Sequence, residues 1–202
     1  MAAVLMDEPL TVIDPQLKHS LRRKIREITE QFRPTVIYVT HDQYEAMSFA
    51  QELLVMKDGR AVQQGTPEQL FEAPSATRVG CFIGSPAMNF LTPDRGDGPF
   101  ALGGRPLSVA WDVPRSTAEV QVGVRPEHVK IVTDPGPNTF PGRLRDVSDH
   151  GAQRVLEVEV AGQTVRAKRP REEGVPVGEN VLVRLPRAKV LPYADGKLLL
   201  RS

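Results

Sequence analysis

A single cysteine, Cys81, in 202 residues leaves no internal disulfide to make. That excludes a small cross-linked scaffold. With no basic cluster around it in the sequence, the thiol reads as a small apolar packing residue. Long apolar runs are lacking too, so neither a signal peptide nor a membrane-spanning helix is expected. The expectation is a cytoplasmic protein with no direct membrane insertion, meeting a membrane only through a protein partner. Charge of one sign is also missing. The 26 Lys+Arg stand against 25 Asp+Glu, which gives no general attraction to nucleic acid or anionic lipid. Aromatics are 5% of the chain, with Trp111 the one tryptophan. That is too few for a base-stacking platform, and nucleic-acid binding is not expected.

What is present begins at the first residue. Met1-Ala2-Ala3-Val4-Leu5-Met6 is an apolar run that ends in two adjacent carboxylates, Asp7-Glu8. Such a pattern fits a buried strand delivering acids to the edge of a sheet, where open α/β sheets place their chemistry. By itself it fits equally well a strand that simply leaves the core for solvent. Asp14-Pro15 then opens a helix, Asp14 as the cap and Pro15 at the first helical position. Leu17, Leu21, Ile25, Ile28 and Phe32 recur at spacings of four and three and form one apolar stripe. Lys18, Arg22, Arg23, Lys24 and Arg26 lie mostly off it and read as a solvated face. Pro34 ends the helix, and the β-branched run Thr35 to Thr40 predicts a strand. Asp42 with Glu45 predicts a capping box for a helix reaching about Ala50.

Taken together these segments resemble a known family. Val4-Leu5-Met6-Asp7-Glu8-Pro9 is similar to the Walker B segment of an ATP-binding-cassette (ABC) ATPase. Thr11-Val12-Ile13-Asp14 resembles its D-loop, with a modest departure in the first residues, and Tyr38-Val39-Thr40-His41-Asp42 its switch-histidine motif. Gly65-Thr66-Pro67-Glu68 and the run Phe82 to Leu91 resemble the ATP-binding subunits of bacterial sugar and polyol importers, of the maltose and glycerol-3-phosphate type. Gly123-Val124-Arg125-Pro126-Glu127-His128 resembles the C-terminal regulatory, or TOBE, domain of those subunits. The run Leu10 to Lys18 looks more like the glycerol and glycerol-phosphate branch than the maltose branch.

Beside that family the chain has conspicuous gaps. A phosphate-cradling loop needs GxxxxGK[ST], so that backbone N–H groups and a lysine surround the phosphates. No such string occurs; Gly196-Lys197 is followed by Leu198. The Ser-Gly-Gly-Gln signature is absent as well, and Leu102-Gly103-Gly104-Arg105 lacks its Ser and Gln. The chain thus resembles the C-terminal part of a transporter ATPase beginning at Walker B. Met1 is compatible with a true start, a misassigned start or a truncated gene.

Farther along, Leu53 to Lys57, a turn at Asp58-Gly59, and Arg60 to Gln64 predict a hairpin. Short helices are predicted from Thr66 and over 76–83. After Ser85-Pro86 the helices give way to short alternating segments, predicted as strands at 119–124, 143–147, 155–160, 164–168, 181–185 and 197–200. An inner apolar face is expected from Val120, Val122, Val155, Val181 and Val183. This spacing fits a small barrel of the OB type. The expected architecture is a partial α/β P-loop NTPase (RecA-like) half over 1–85, followed by an all-β OB-like domain over 86–202 that folds on its own.

The resemblance also assigns roles. It implies that Asp7 holds Mg²⁺ through a coordinating water, that Glu8 polarises the attacking water as general base, and that His41 contacts the γ-phosphate and Glu8. Asp14 caps its helix on local grounds, and by resemblance also communicates across an ATPase dimer. Arg125, Glu127 and His128 form a polar cluster that is structural and regulatory by resemblance and weak as a metal site. The implied ligands are ATP and Mg²⁺, and the implied partners a second ATPase subunit and the membrane subunits of an importer. Without the phosphate loop, the chain alone is expected not to hydrolyse ATP at a useful rate. The competing reading is a catalytically dead remnant acting as a regulatory or protein-interaction module.

Overall fold

Asp14 accepts a hydrogen bond from the Gln16 backbone N–H at 2.9 Å, and the helix it opens is the longest in the chain. The structure is a computed structural model that describes residues 3–94, 99–111, 113 and 119–199. Met1, Ala2 and Leu200, which figure in the strands predicted at either end, lie outside the described residues. The chain divides into two compact units, 1–70 and 71–202. The expected boundary at 85–86 therefore falls inside the second unit.

In the first unit, β1 (Ala3–Asp7) and β2 (Thr35–Val39) pair in parallel, from Ala3 opposite Thr35 to Asp7 opposite Val39. Helix α1 (Pro15–Phe32) is the crossover between them and ends at Arg33 in the left-handed conformation, just before Pro34. Helix α2 (Gln43–Phe49) and the hairpin of β3 (Leu53–Lys57) and β4 (Arg60–Gly65) follow. Asp58 and Gly59 both take positive φ at the hairpin turn, the mirror-image geometry that right-twisted strands require. Helix α3 (Pro67–Glu72) starts with a complete capping box. Thr66 Oγ1 accepts from the Gln69 N–H, and Gln69 Oε1 accepts from the Thr66 N–H.

Two expectations are corrected here. The apolar stripe of α1 does not face a core as a whole: Leu21 and Ile25 are half-buried, while Leu17, Ile28 and Phe32 are exposed. The reason lies in the basic residues expected to be solvated. Arg22 turns inward to Asp42 and Glu45, and Arg26 reaches the Ser48 carbonyl, so this side of α1 is the one that meets α2. The capping box at α2 is only half made. Asp42 Oδ1 accepts from the Tyr44 and Glu45 N–H groups, but the Asp42 N–H goes to the Thr40 hydroxyl and the Glu45 carboxylate points elsewhere.

The second unit begins with helix α4 (Thr77–Phe82) and β5 (Asn89–Leu91). A small hairpin follows, β6 (Ala101–Leu102) with β7 (Arg105–Pro106). The main strands are β8 (Val120–Val124), β9 (Lys130–Val132), β10 (Thr139–Asp149), β11 (Gln153–Val160), β12 (Gln163–Pro170), β13 (Asn180–Arg184), β14 (Leu191–Ala194) and β15 (Lys197–Leu198). They form two antiparallel sheets, ordered β12-β11-β10-β13-β9 and β15-β14-β8-β5. The unit is mostly β. Strands β5, β6, β7, β9 and β14 are additional to those expected from the sequence. Each is short, and Pro192 within β14 removes a ladder donor, so the segment does not read as a strand.

Beside a smaller cluster of Met88, Leu191 and Tyr193, a large apolar core fills this unit. Val122, Val124, Phe140, Leu156, Val158, Val165, Val183 and Leu185 in it are essentially inaccessible to solvent. Full burial of such side chains contributes roughly 1.5–3 kcal/mol each. Of the expected inner face, Val122, Val155, Val181 and Val183 are buried and Val120 is half-buried. Two asparagine side chains extend the backbone ladder where strands stop. The Asn89 amide donates to the Arg166 carbonyl at 2.9 Å and accepts from the Arg166 N–H at 2.8 Å, tying β5 to the outer edge of β12. Asn138 makes the same reciprocal pair with the backbone of Ser108.

The segment 71–86 is held to this unit largely through its own carbonyl groups. Arg125, 1% exposed, donates from Nε to the Phe71 carbonyl at 2.8 Å and from Nη1 to the carbonyls of Gly80 and Ile83. Its guanidinium lies 4.3 Å from the centre of the Phe71 ring. Gly84, at φ +105°, leaves the room this requires, since a Cβ there would stand 2.8 Å from Arg125 Nη1. Tyr193 donates to the Pro74 carbonyl and Lys168 to that of Ser85, both at 2.9 Å. Cys81 is not a packing residue, contrary to expectation. It sits on the outer side of α4 with Arg78 and Phe82, all exposed.

Candidate functional site

Residues 33 positions apart in the sequence meet at the ends of β1 and β2. The Glu8 N–H continues the ladder by donating to the Val39 carbonyl at 2.8 Å, and Glu8 then takes φ +43°. A left-handed conformation at a non-glycine residue costs roughly 1–3 kcal/mol and is found where geometry must be held for a purpose. Here the bend leaves the carboxylate facing His41, with Nδ1 2.9 Å from Oε1. A carboxylate can only accept, so Nδ1 carries the proton. Thr11 Oγ1 donates to the other oxygen, Oε2, at 3.0 Å.

The electrostatics follow from these contacts. The hydrogen bonds from His41 and then Thr11 hold the Glu8 carboxyl below the usual carboxylate range. The Glu8 hydrogen bond and its negative charge raise the His41 imidazole above its ordinary value. Both side chains are substantially exposed, at 42% and 67%, so water screens the pair and it adds little to stability. What the arrangement supplies is an acceptor ionised at neutral pH, both oxygens of which are oriented, beside a proton-bearing ring.

Asp7 ends β1 on the sheet face that also carries Leu5, Ile37 and Val39, all exposed. Among the described residues its carboxylate makes no hydrogen bond or ion pair, so its oxygens are open to solvent. Asp14 stays with the Gln16 N–H at the start of α1, and no contact joins it to Glu8 or His41. The structure thus brings together Glu8 and His41, sets Asp7 next in line, and leaves Asp14 at its cap.

Two features of the site were not singled out from the sequence. One is Thr11, whose hydroxyl could have been found from its position three residues after Glu8 in a turn closed by the Thr11 N–H to the Glu8 carbonyl. The other is Glu45, 2% exposed behind the histidine. Its Oε2 accepts from the Tyr38 hydroxyl at 2.9 Å and from the Thr40 hydroxyl at 3.0 Å, and Arg22 lies 3.5 Å from Oε1. Burial and the Glu45 carboxylate push the Tyr38 phenol well above its ordinary range.

The polar cluster of the second unit comes apart into three separate tasks. Arg125 grips the 71–86 segment, Glu127 pairs with Lys168 at 3.2 Å, and His128 lies 3.5 Å from Glu72, which also bonds Lys189. Among the described residues no group of three or more His, Cys, Asp or Glu could hold a metal ion, and no helix is long and apolar enough to cross a membrane.

The sequence is similar to those of known proteins. Residues 122–191 match the TOBE domain. A protein of Jannaschia sp. named sn-glycerol-3-phosphate import ATP-binding protein UgpC is 36% identical over 203 residues, covering 95% of this chain and 54% of that protein. The UgpC protein of Paracoccus denitrificans is 43% identical over 151 residues, 75% of this chain and 42% of that one. One of Agrobacterium fabrum is 37% identical over 194 residues, 93% of this chain and 51% of that one. The chain spans about half the length of the curated relatives it matches. Among solved structures, a cytoplasmic molybdate-binding protein, ModG, covers 38% of this chain and 62% of its own at 14% identity and a TM-score of 0.33. That likeness is too slight to argue from.

Proposed function

We propose that this chain supplies the water-activating edge and the regulatory domain of an ATP-binding subunit that drives import of a glycerol phosphate, sugar or polyol. The observation that carries the reading is the Glu8–His41 contact at the end of β1, reinforced by Thr11. The relatives' names support the choice of ATP and of sn-glycerol-3-phosphate. On this reading the first unit is part of a P-loop NTPase half and the second an OB-like barrel. A second subunit and the membrane subunits of an importer are its partners, with the chain peripheral on the cytoplasmic side.

Glu8 orients the attacking water. Its carboxyl, held below the usual range by His41 and Thr11, is ionised at neutral pH and accepts a hydrogen bond from that water as general base. His41 presents its ring beside that water and holds the carboxylate still. The open carboxylate of Asp7 fits Mg²⁺, a hard cation that keeps several waters and takes one or two protein carboxylates. When bound, the ion would neutralise charge on the phosphates. Asp14 would serve the dimer contact as well as its cap. The nucleotide itself does not fit the residues of this chain alone, because its sequence holds no GxxxxGK[ST] string. The isolated chain is therefore expected to be inert as an ATPase.

The test is a hybrid in which this chain replaces the matching part of the Jannaschia relative. The hybrid should bind and hydrolyse ATP, and Glu8→Gln should slow hydrolysis by about 10²–10³-fold while nucleotide binding persists. A hybrid that binds no ATP, or one that Glu8→Gln leaves equally fast, overturns the reading. A second reading, a regulatory or protein-interaction module without catalysis, is favoured by the self-contained core of the second unit. It predicts that this unit alone binds the same proteins as the whole chain.

A further inference from the structure

His41 is exposed, and among the described residues Glu8 is the one side chain that hydrogen-bonds its ring. A ring in that situation is aimed by the backbone beneath it, so what fixes that backbone matters. The turn 40–42 is closed by the Asp42 N–H donating to Thr40 Oγ1 at 3.0 Å. The same hydroxyl donates its proton to Glu45 Oε2 at 3.0 Å. Thr40 is therefore locked in one rotamer, because its hydroxyl must donate in one direction and accept from another. Glu45 is held in turn by the Tyr38 hydroxyl and Arg22.

Burying a carboxylate is costly, and an apolar residue on the inner face of α2 would pack there without that cost. What a carboxylate supplies, and an apolar side chain cannot, is an acceptor for two hydroxyls at once. We propose that Glu45 is a positioning residue, which through the Thr40 hydroxyl fixes the turn that holds the His41 ring against Glu8. This rests on the reading of Glu8 and His41 as a working pair, but not on the nucleotide chemistry.

The test needs no nucleotide, so its failure is distinct from failure of the hybrid ATPase. Ring ¹⁵N resonances of His41, recorded on the full chain, report whether the proton sits at Nδ1. Exchange of the Asp42 amide reports the turn. Wild type should show Nδ1 protonated and hydrogen-bonded. Glu45→Leu and Thr40→Val should each shift the ring toward a mixture of tautomers and speed Asp42 amide exchange about fivefold or more. Tyr38→Phe removes a donor to Glu45 but leaves the Thr40 link, and should leave the ring signals in place. Should Glu45→Leu unfold the first unit by circular dichroism, Thr40→Val decides alone. Unchanged ring signals in Thr40→Val overturn the proposal. So does a Tyr38→Phe variant that disturbs them as much, since that would mark a packing effect.

Discussion

The two units stand at opposite ends of what a short chain can do with apolar residues. In 71–202 the strands bury a continuous core, and both Asn89 and Asn138 are spent on closing seams. In 1–70 the buried apolar side chains are Leu10 and Leu70, while Leu5, Ile37, Val39, Ile28 and Phe32 face solvent among the described residues. Order in the first unit comes instead from polar devices: the Asp14 and Asp42 caps, the Glu45 network and the Glu8–His41 contact. The lesson is that geometry at a site and stability of the element bearing it are separable. Hydrogen bonds to specific atoms can set the first where burial supplies little of the second.

The sharpest way to break this comparison is to move the border of the stable unit. Residues 71–202 expressed alone should unfold in one cooperative step followed by Trp111 fluorescence. Residues 86–202 should lose most of that stability, because the truncation removes the buried Val79 and Ile83 side chains and the carbonyls that accept from Arg125 and Tyr193. A 86–202 fragment as stable as the longer one would show that the segment is ornament.

Next in size, Arg125→Ala in the full chain should cost the second unit about 3–5 kcal/mol, read from urea unfolding by Trp111 emission. Arg125→Lys should not restore it, because one ammonium cannot reproduce the fork that reaches three carbonyls. Burial already pulls the Arg125 pKa downward, which marks how completely this charge depends on its acceptors.

The smallest effect concerns the exposed pair of the first unit. Glu8 titrates below its ordinary 4.5 and His41 above its ordinary 6.5. The contribution of Glu8 is present above its unfolded value and lost as pH falls through its folded one. That of His41 is present below its unfolded value and lost as pH rises through its folded one. The pair should therefore be most intact between about pH 4.5 and 6.5, and weaken outside that window and with added salt. A histidine Cε1 proton titration should show His41 moving back toward its ordinary value in Glu8→Gln. An unchanged titration would mean that the contact is not made in solution.

Much of this was legible before the structure. Asp14 and Asp42 announce their caps by type and position, and the turn at Asp58-Gly59 announces its hairpin. The Glu8–His41 meeting was legible only through motif resemblance, since nothing in 33 residues of spacing encodes a contact between strand ends. The facing of α1 was not legible. Its apolar stripe competes with Arg22 and Arg26, and the choice is made by acceptors on α2 that periodicity does not see. The work of Arg125 was hidden for a similar reason, because its acceptors are main-chain atoms and leave no trace in side-chain identity.

The reciprocal amide pairs of Asn89 and Asn138 carry a different consequence, one of chemical ageing. Each depends on a side chain that both donates and accepts. Hydrolysis of the amide to Asp, which water performs slowly on any asparagine, changes a single heavy atom and keeps the shape. It would nonetheless turn the donor into an oxygen facing a carbonyl oxygen, of Arg166 in one case and Ser108 in the other. The joints that close this unit would then become points of repulsion, so an old molecule would open first at its seams and not through its core.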